Sequence, residues 1–158
     1  MRFVTVSGPP SSGKTAVIIK TLEHLQKAGQ QVGVVKFDCL FTDDDELYRK
    51  NGIKVRKGLA GALCPDHYFV SNVEECVQWG KMENLNVLVS ESAGLCNRCS
   101  PHIREILAVC VIDNLSGINT PKKIGPMLKA ADIVIITKGD IVSQAEREVF
   151  AARVHMVN

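Results

Sequence analysis

The segment Gly8-Pro-Pro-Ser-Ser-Gly13-Lys14-Thr15 lies between an apolar run, Phe3–Val6, and a helical stripe that opens at Lys14. The pattern G-x-x-x-x-G-K-T in that setting dictates a strand, a glycine-dependent turn and a helix with an open N-terminus. Backbone N–H groups of such a turn, together with the helix dipole, form a cradle for phosphate. Lys14 is placed to reach the β- and γ-phosphates of a nucleoside triphosphate, and the Thr15 hydroxyl to ligate Mg²⁺. Gly8, Ser11, Ser12, Gly13, Lys14 and Thr15 are therefore the expected nucleotide-binding residues of the loop.

Around this unit, Val32–Phe37, Val87–Ser90, Ala108–Ile112 and Ile133–Ile136 are short, continuous apolar runs rich in β-branched residues. Such runs suit strands buried on both faces of a largely parallel sheet. Helical patterns separate them. Lys14–Ala28 aligns Val17, Ile18, Leu22 and Leu25 and stops at Gly29, and Asp43–Asn51 stops at Gly52. Val73–Met82 is interrupted by Gly80, Pro121–Ala131 starts on a proline, and Ser143 with Glu146 makes a capping box. The expected fold class is α/β: a doubly wound, mostly parallel sheet with helices on both faces, its C-terminal edge cut short.

The 158 residues fit one domain, 1–158, and 46% hydrophobic against 23% charged content excludes disorder. A net charge of +2 gives no reason to expect nucleic acid as a partner. No apolar run approaches the length that spans a bilayer, and the N-terminus carries no signal-peptide core. A cytoplasmic protein with reduced cysteines is the expectation.

Further polar residues fall at strand ends, where a doubly wound sheet binds its ligands. Asp38 ends the second run and Glu91 the third, with Gly94 three residues on. A carboxylate after a fully apolar strand is costly unless a cation or donors face it, so Asp38 and Glu91 are candidates for Mg²⁺ binding and for orienting the attacking water. Asp113 ends the fourth run and serves equally well to order a turn with Asn114 and Ser116. Thr137-Lys138-Gly139-Asp140 follows the fifth in the pattern [N/T]-K-x-D, in which Asp140 can accept from guanine N1–H and N2–H while the Lys138 stem covers the base.

Taken together, the phosphate loop, Asp38 with its following acidic helix and Gly52-Ile53, Cys64-Pro65-Asp66-His67, Glu91-Ser-Ala-Gly94 and Ala130-Ala131-Asp132 before Thr137 resemble the CobW/HypB/UreG family. These are GTPases that help insert nickel into hydrogenase and urease. The resemblance implies a Mg²⁺-dependent GTPase that dimerises with nucleotide, binds a transition metal at the subunit interface and serves a client metalloenzyme or accessory maturation protein. It implies Lys14, Asp38 and Glu91 as catalytic residues and Cys64 and His67 as metal ligands. Two departures stand out: Thr137 replaces the family's Asn, and Cys96-Asn-Arg-Cys99 lies inside the switch.

Cys96 and Cys99 have the C-x-x-C spacing that chelates one soft ion, and a closed tetrahedral site needs further ligands from His102 or a second subunit. Nickel, zinc and an iron–sulfur cluster all suit such thiolates. A GTP-hydrolysing metallochaperone is the leading expectation. A nucleotide-gated iron–sulfur or redox carrier, a small-molecule kinase on the same loop and a non-catalytic metal-binding protein are the alternatives. Cys39, Cys76 and Cys110 read as small buried apolar residues.

Overall fold

The computed structural model describes residues 1–38, 43–92 and 100–158. In chain order the elements are β1 (Arg2–Ser7), α1 (Lys14–Lys27), β2 (Val32–Asp38), α2 (Asp44–Lys50), β3 (Lys54–Leu59), α3 (Pro65–Ser71), α4 (Val73–Met82) and β4 (Val87–Ser92). They continue with β5 (Leu107–Asp113), α5 (Thr120–Lys123), α6 (Gly125–Lys129), β6 (Ile133–Thr137) and α7 (Gln144–His155). The strands form one sheet in the order β3-β2-β4-β1-β5-β6, and every pairing is parallel. The α/β class and the two helical layers read from the sequence are those observed.

The strand period of two divides the core. Val6, Val34, Val89 and Val111 pack with Ile18, Leu22 and Tyr48 under α1 and α2. On the opposite face, Val35, Phe37 and Leu88 meet Phe69 of α3 and Cys76 of α4, while Cys110 and Ile112 meet Met127, Leu128 and Phe150. The aromatic rings of Phe37 and Phe69 lie 5.2 Å apart and anchor α3 to the sheet.

Three local readings change. A sixth strand, β3, escapes a search for apolar runs because Lys-Val-Arg-Lys-Gly-Leu is mostly polar, which its place at the sheet edge tolerates. The Pro121–Ala131 helix is two short helices parted at Ile124, since Pro126 has no N–H to carry a continuous ladder. Conversely, α4 runs through Gly80, whose missing side chain makes room for Met1: a Cβ there would lie 2.4 Å from its sulfur. Among the described residues β6 pairs with β5 alone, and an apolar groove of about 340 Å³ opens between α1 and the β5–β6 side, lined by Leu25, Leu107, Ile133 and Ile135 among others.

The segment before β5 is pinned across β1 by one imidazole. His102 Nδ1 lies 2.8 Å from Thr5 Oγ1 and its Nε2 lies 3.2 Å from Ser7 Oγ. The two hydroxyls can rotate to complement the neutral ring, which offers one donor and one acceptor. Burial holds the His102 pKa below its ordinary value of 6.5, against the opposing pull of Asp132. The unfolded chain therefore binds more protons than the folded one in this range. Stability from the neutral ring is fully present above about pH 6.5 and is lost as pH falls toward the folded pKa. Thermal melts of the wild type and of His102→Gln between about pH 7.5 and 5.5 should separate accordingly, the wild type losing more stability on acidification.

Candidate phosphate and metal site

The loop after β1 takes its shape from positive φ angles at Gly8 (147°), Ser11 (59°) and Gly13 (90°). Gly8 admits no side chain, because a Cβ there would fall 1.9 Å from the Val111 carbonyl oxygen. Gly13 caps α1 without a side-chain acceptor, so the first amides of the helix face the loop. Ser12 is fully buried, and its hydroxyl has no hydrogen-bond partner among the described residues. The Lys14 ammonium donates to the Gly8 and Pro9 carbonyl oxygens at 3.0 and 2.8 Å. Burial lowers its pKa and Glu91 opposes the fall. An open helix N-terminus, a buried hydroxyl left without a partner among the described residues and an ammonium held by loop carbonyls fit a phosphate chain.

Beside this cradle lies a set of oxygens. Thr15 Oγ1 donates to Glu91 Oε1 at 2.8 Å and lies 3.4 Å from Asp44 Oδ2. Asp38 lines the same cleft of about 500 Å³, with Lys14, Lys36 and Leu47. Hydroxyl and carboxylate oxygens are the donors Mg²⁺ takes, so the residues fit that ion. The cluster is already neutralised in part. Lys36 Nζ lies 2.9 Å from Glu91 Oε1 and 2.8 Å from Asp44 Oδ2, and Tyr48 donates to Glu91 Oε2 at 2.7 Å. Burial alone would depress the Lys36 pKa, but the two carboxylates reverse that and raise it. Burial, with Glu91, pushes the Tyr48 phenol far up, so it stays a donor.

Sheet register builds this arrangement. Val6, Glu91, Lys36 and Lys57 are successive Cα partners across β1, β4, β2 and β3. Side chains in one such row share a face, and α2 lies over it. Its Asp44 meets Lys36, and its Asp45 meets Lys57 at 2.8 Å, which holds the Asp45 carboxyl below the usual range. Lys36, Asp44 and Tyr48 are site residues that the motif search passed over. Lys36 was legible as a lysine inside an apolar strand, which must be paired when buried.

The segment after β6 is tied to the phosphate loop. Thr137 Oγ1 donates to the Ser12 carbonyl oxygen at 2.7 Å and Lys138 Nζ to that of Ser11 at 2.7 Å. Lys138 also lies 3.5 Å from Asp113 Oδ1, whose main job is the turn: Oδ1 accepts from Leu115 N at 2.9 Å, and the Asp113 carbonyl accepts from Ser116. Asp140 is exposed within a 3-10 turn, Gly139–Ile141.

Of the expected soft-metal ligands, Cys96 and Cys99 lie outside the described residues, as does Cys39. Cys64 is half-buried at the N-cap of α3, with exposed His67 in the first turn, so the Cys-Pro-Asp-His run starts a helix. Both ring nitrogens of His102 face hydroxyls, and a metal would have to displace one. Among the described residues no three His, Cys, Asp or Glu side chains converge as metal ligands. Cys76 and Cys110 are buried thiols pushed up to about 11, in keeping with apolar roles. Among the described residues, neither carboxyl oxygen of buried Asp66 on α3 has a hydrogen bond of good geometry, and the same holds for the Ser92 hydroxyl. Burial raises the Asp66 pKa, opposed by Ser92, His67 and Lys14.

Comparison with known proteins agrees with this geometry. The family model described as the CobW/HypB/UreG nucleotide-binding domain matches residues 2–158. An uncharacterized protein of Methanocaldococcus jannaschii is 52% identical over 158 residues, which cover 100% of this chain and 67% of that one. The urease accessory protein UreG of Trichodesmium erythraeum is 31% identical over 148 residues, 86% of this chain and 68% of its own. Among solved structures, HypB from Helicobacter pylori in complex with nickel superposes with a TM-score of 0.75 at 19% identity, covering 100% of this chain and 74% of that one. A phosphate loop on β1, a carboxylate on β4 and a Thr-Lys-x-Asp loop on β6 are thus joined to a match along almost the whole sequence, and the chain belongs to the CobW/HypB/UreG family of nucleotide-binding domains.

Proposed function

We propose that this chain is a Mg²⁺-dependent GTP-binding and GTP-hydrolysing protein of metallochaperone type. Its nucleotide state would govern delivery of a transition metal, nickel or zinc, to a client metalloenzyme or accessory maturation protein. The observation that carries the reading is the phosphate cradle set against the Thr15–Glu91–Asp44 oxygen cluster in a chain of this family. The nickel complex of the similar HypB supports the metal part, and the similar urease accessory protein supports a client metalloenzyme. A homodimer that completes the metal site and a cytoplasmic location belong to the same proposal. No helix among the described residues is long and apolar enough to cross a membrane.

In this reading Lys14 leaves the Gly8 and Pro9 carbonyls for the phosphates and stabilises charge that grows on the transferred group. Mg²⁺, when bound, supplies Lewis-acid neutralisation of the β- and γ-phosphate oxygens. Thr15, Asp38 and Glu91 are the residues that would hold it, directly or through water. Glu91 also accepts the Tyr48 hydroxyl, which fixes the carboxylate toward the cleft. Thr137 and Lys138 brace the phosphate loop from the base side, leaving exposed Asp140 to read guanine.

Lys14→Ala should lower GTP hydrolysis at least about a hundredfold, since a transition-state cation is lost. Its circular dichroism should match the wild type, because Lys14 contributes no core packing; retained turnover would remove the phosphate loop from the reaction.

Guanine preference rests on Asp140. Calorimetric titration should find GTP bound more tightly than ATP, and Asp140→Ala should weaken GTP by about tenfold or more. Equal affinities for the two nucleotides would contradict the assignment.

The soft-metal ligands are tested by stoichiometry after anaerobic purification, with and without GTP. Loss of bound nickel or zinc in Cys96→Ser/Cys99→Ser would place the ion on the C-x-x-C pair. Loss only in Cys64→Ser or His67→Ala would place it at the start of α3.

A further inference from the structure

We propose that Lys36 is a built-in counter-cation that closes the Thr15–Asp44–Glu91 oxygen cluster to divalent ions until nucleotide arrives. The inference rests on the phosphate-loop reading above and adds a residue to it. Every oxygen of Glu91 is occupied: Oε1 by Lys36 at 2.9 Å and Thr15 at 2.8 Å, Oε2 by Tyr48 at 2.7 Å. Asp44 Oδ2 is held by the same ammonium at 2.8 Å. A divalent ion can gain these oxygens only by displacing Lys36, because Thr15 and Tyr48 are neutral donors and Tyr48 is fully buried.

The competition is strong because it takes place out of water. Glu91 is 1% and Lys36 3% exposed, so their attraction is weakly screened. Lys36 cannot drift away. It lies on an interior strand, a direct Cα partner of Glu91, so its ammonium stays within reach of the cluster. With Lys36 present the Glu91–Asp44 pair carries one net negative charge; without it the pair carries two. Triphosphate shifts the balance by bringing several negative charges and its own oxygens beside Thr15. The divalent ion then has enough ligands to take Glu91, while Lys36 keeps Asp44, whose side chain is 39% exposed and can follow it, or turns to the phosphates. Metal entry thereby becomes conditional on nucleotide.

The test uses Mn²⁺ as the probe, with the free ion counted by electron paramagnetic resonance, on the full chain without nucleotide. The wild type should bind Mn²⁺ weakly. Lys36→Met should bind it at least about tenfold more tightly, since one nearby positive charge is gone. Lys36→Arg should stay as weak as the wild type. Adding Glu91→Gln to Lys36→Met should abolish the gain. Wild-type affinity in a folded Lys36→Met variant overturns the proposal, and so does a gain that survives Glu91→Gln. Should Lys36→Met not fold, Lys36→Gln gives the same comparison, because its amide still donates to a carboxylate while the charge is removed. Failure of the wild type to bind any nucleotide would overturn the phosphate-loop reading instead, and the nucleotide-free Mn²⁺ comparison does not depend on that result.

Discussion

One cross-strand contact organises the ligand side of this molecule: the ion pair of Lys36 on β2 with Glu91 on β4. Both lie in buried strands, and each charge would be untenable alone. Satisfying them fixes much else. Glu91 draws the Thr15 hydroxyl at the start of α1 and the Tyr48 phenol of α2, and Lys36 draws Asp44 from the same helix. The position of α2 over the sheet therefore follows as much from these charges as from its own packing, since Tyr48 and Asp45 are its buried side chains.

A pair of this kind is poor support for stability. Desolvating two charges consumes most of what their attraction returns, and an apolar pair of similar volume often does as well or better. The fold has apolar substance enough in the valines and isoleucines under α1 and the aromatic cluster under α3. Charges kept in such a setting point to chemistry at the cleft they border, alongside Lys14 and Asp38.

How much of this was legible depended on whether the information was local. The phosphate loop was, because glycine geometry, a strand and a helix start fit within one short segment, and Gly8 at φ 147° against the Val111 carbonyl bears out the need for glycine there. Five strands were legible as continuous apolar runs, although β6, at the sheet edge, is only half-buried rather than covered on both faces, whereas β3 was hidden by its Lys and Arg residues. Glu91, expected to need a cation or donors, has Lys36 and Tyr48, but the lysine sits 55 positions earlier, and only the register of β2 against β4 pairs them. Asp44 was visible as part of an acidic helix and its role was not, for the same reason. The tie from Thr137 to the Ser12 carbonyl likewise spans the whole fold, and it gives the threonine that stands in for asparagine a specific task.

The end of β4 also stands between the cleft and the start of α3. Successive residues of a strand point to opposite faces, so Glu91 enters the cleft under α2 while Ser92 faces α3. On that second face lies Asp66, buried without a well-formed hydrogen bond, two residues after Cys64 and one before His67. A buried carboxyl in this condition costs free energy that better pairing would recover, so α3 is held by Phe69 against Phe37 and Phe3 rather than by its polar groups. Glu91 and Ser92 are neighbours on one backbone, so the same buried strand end fixes the cleft on one face and the packing of α3 on the other.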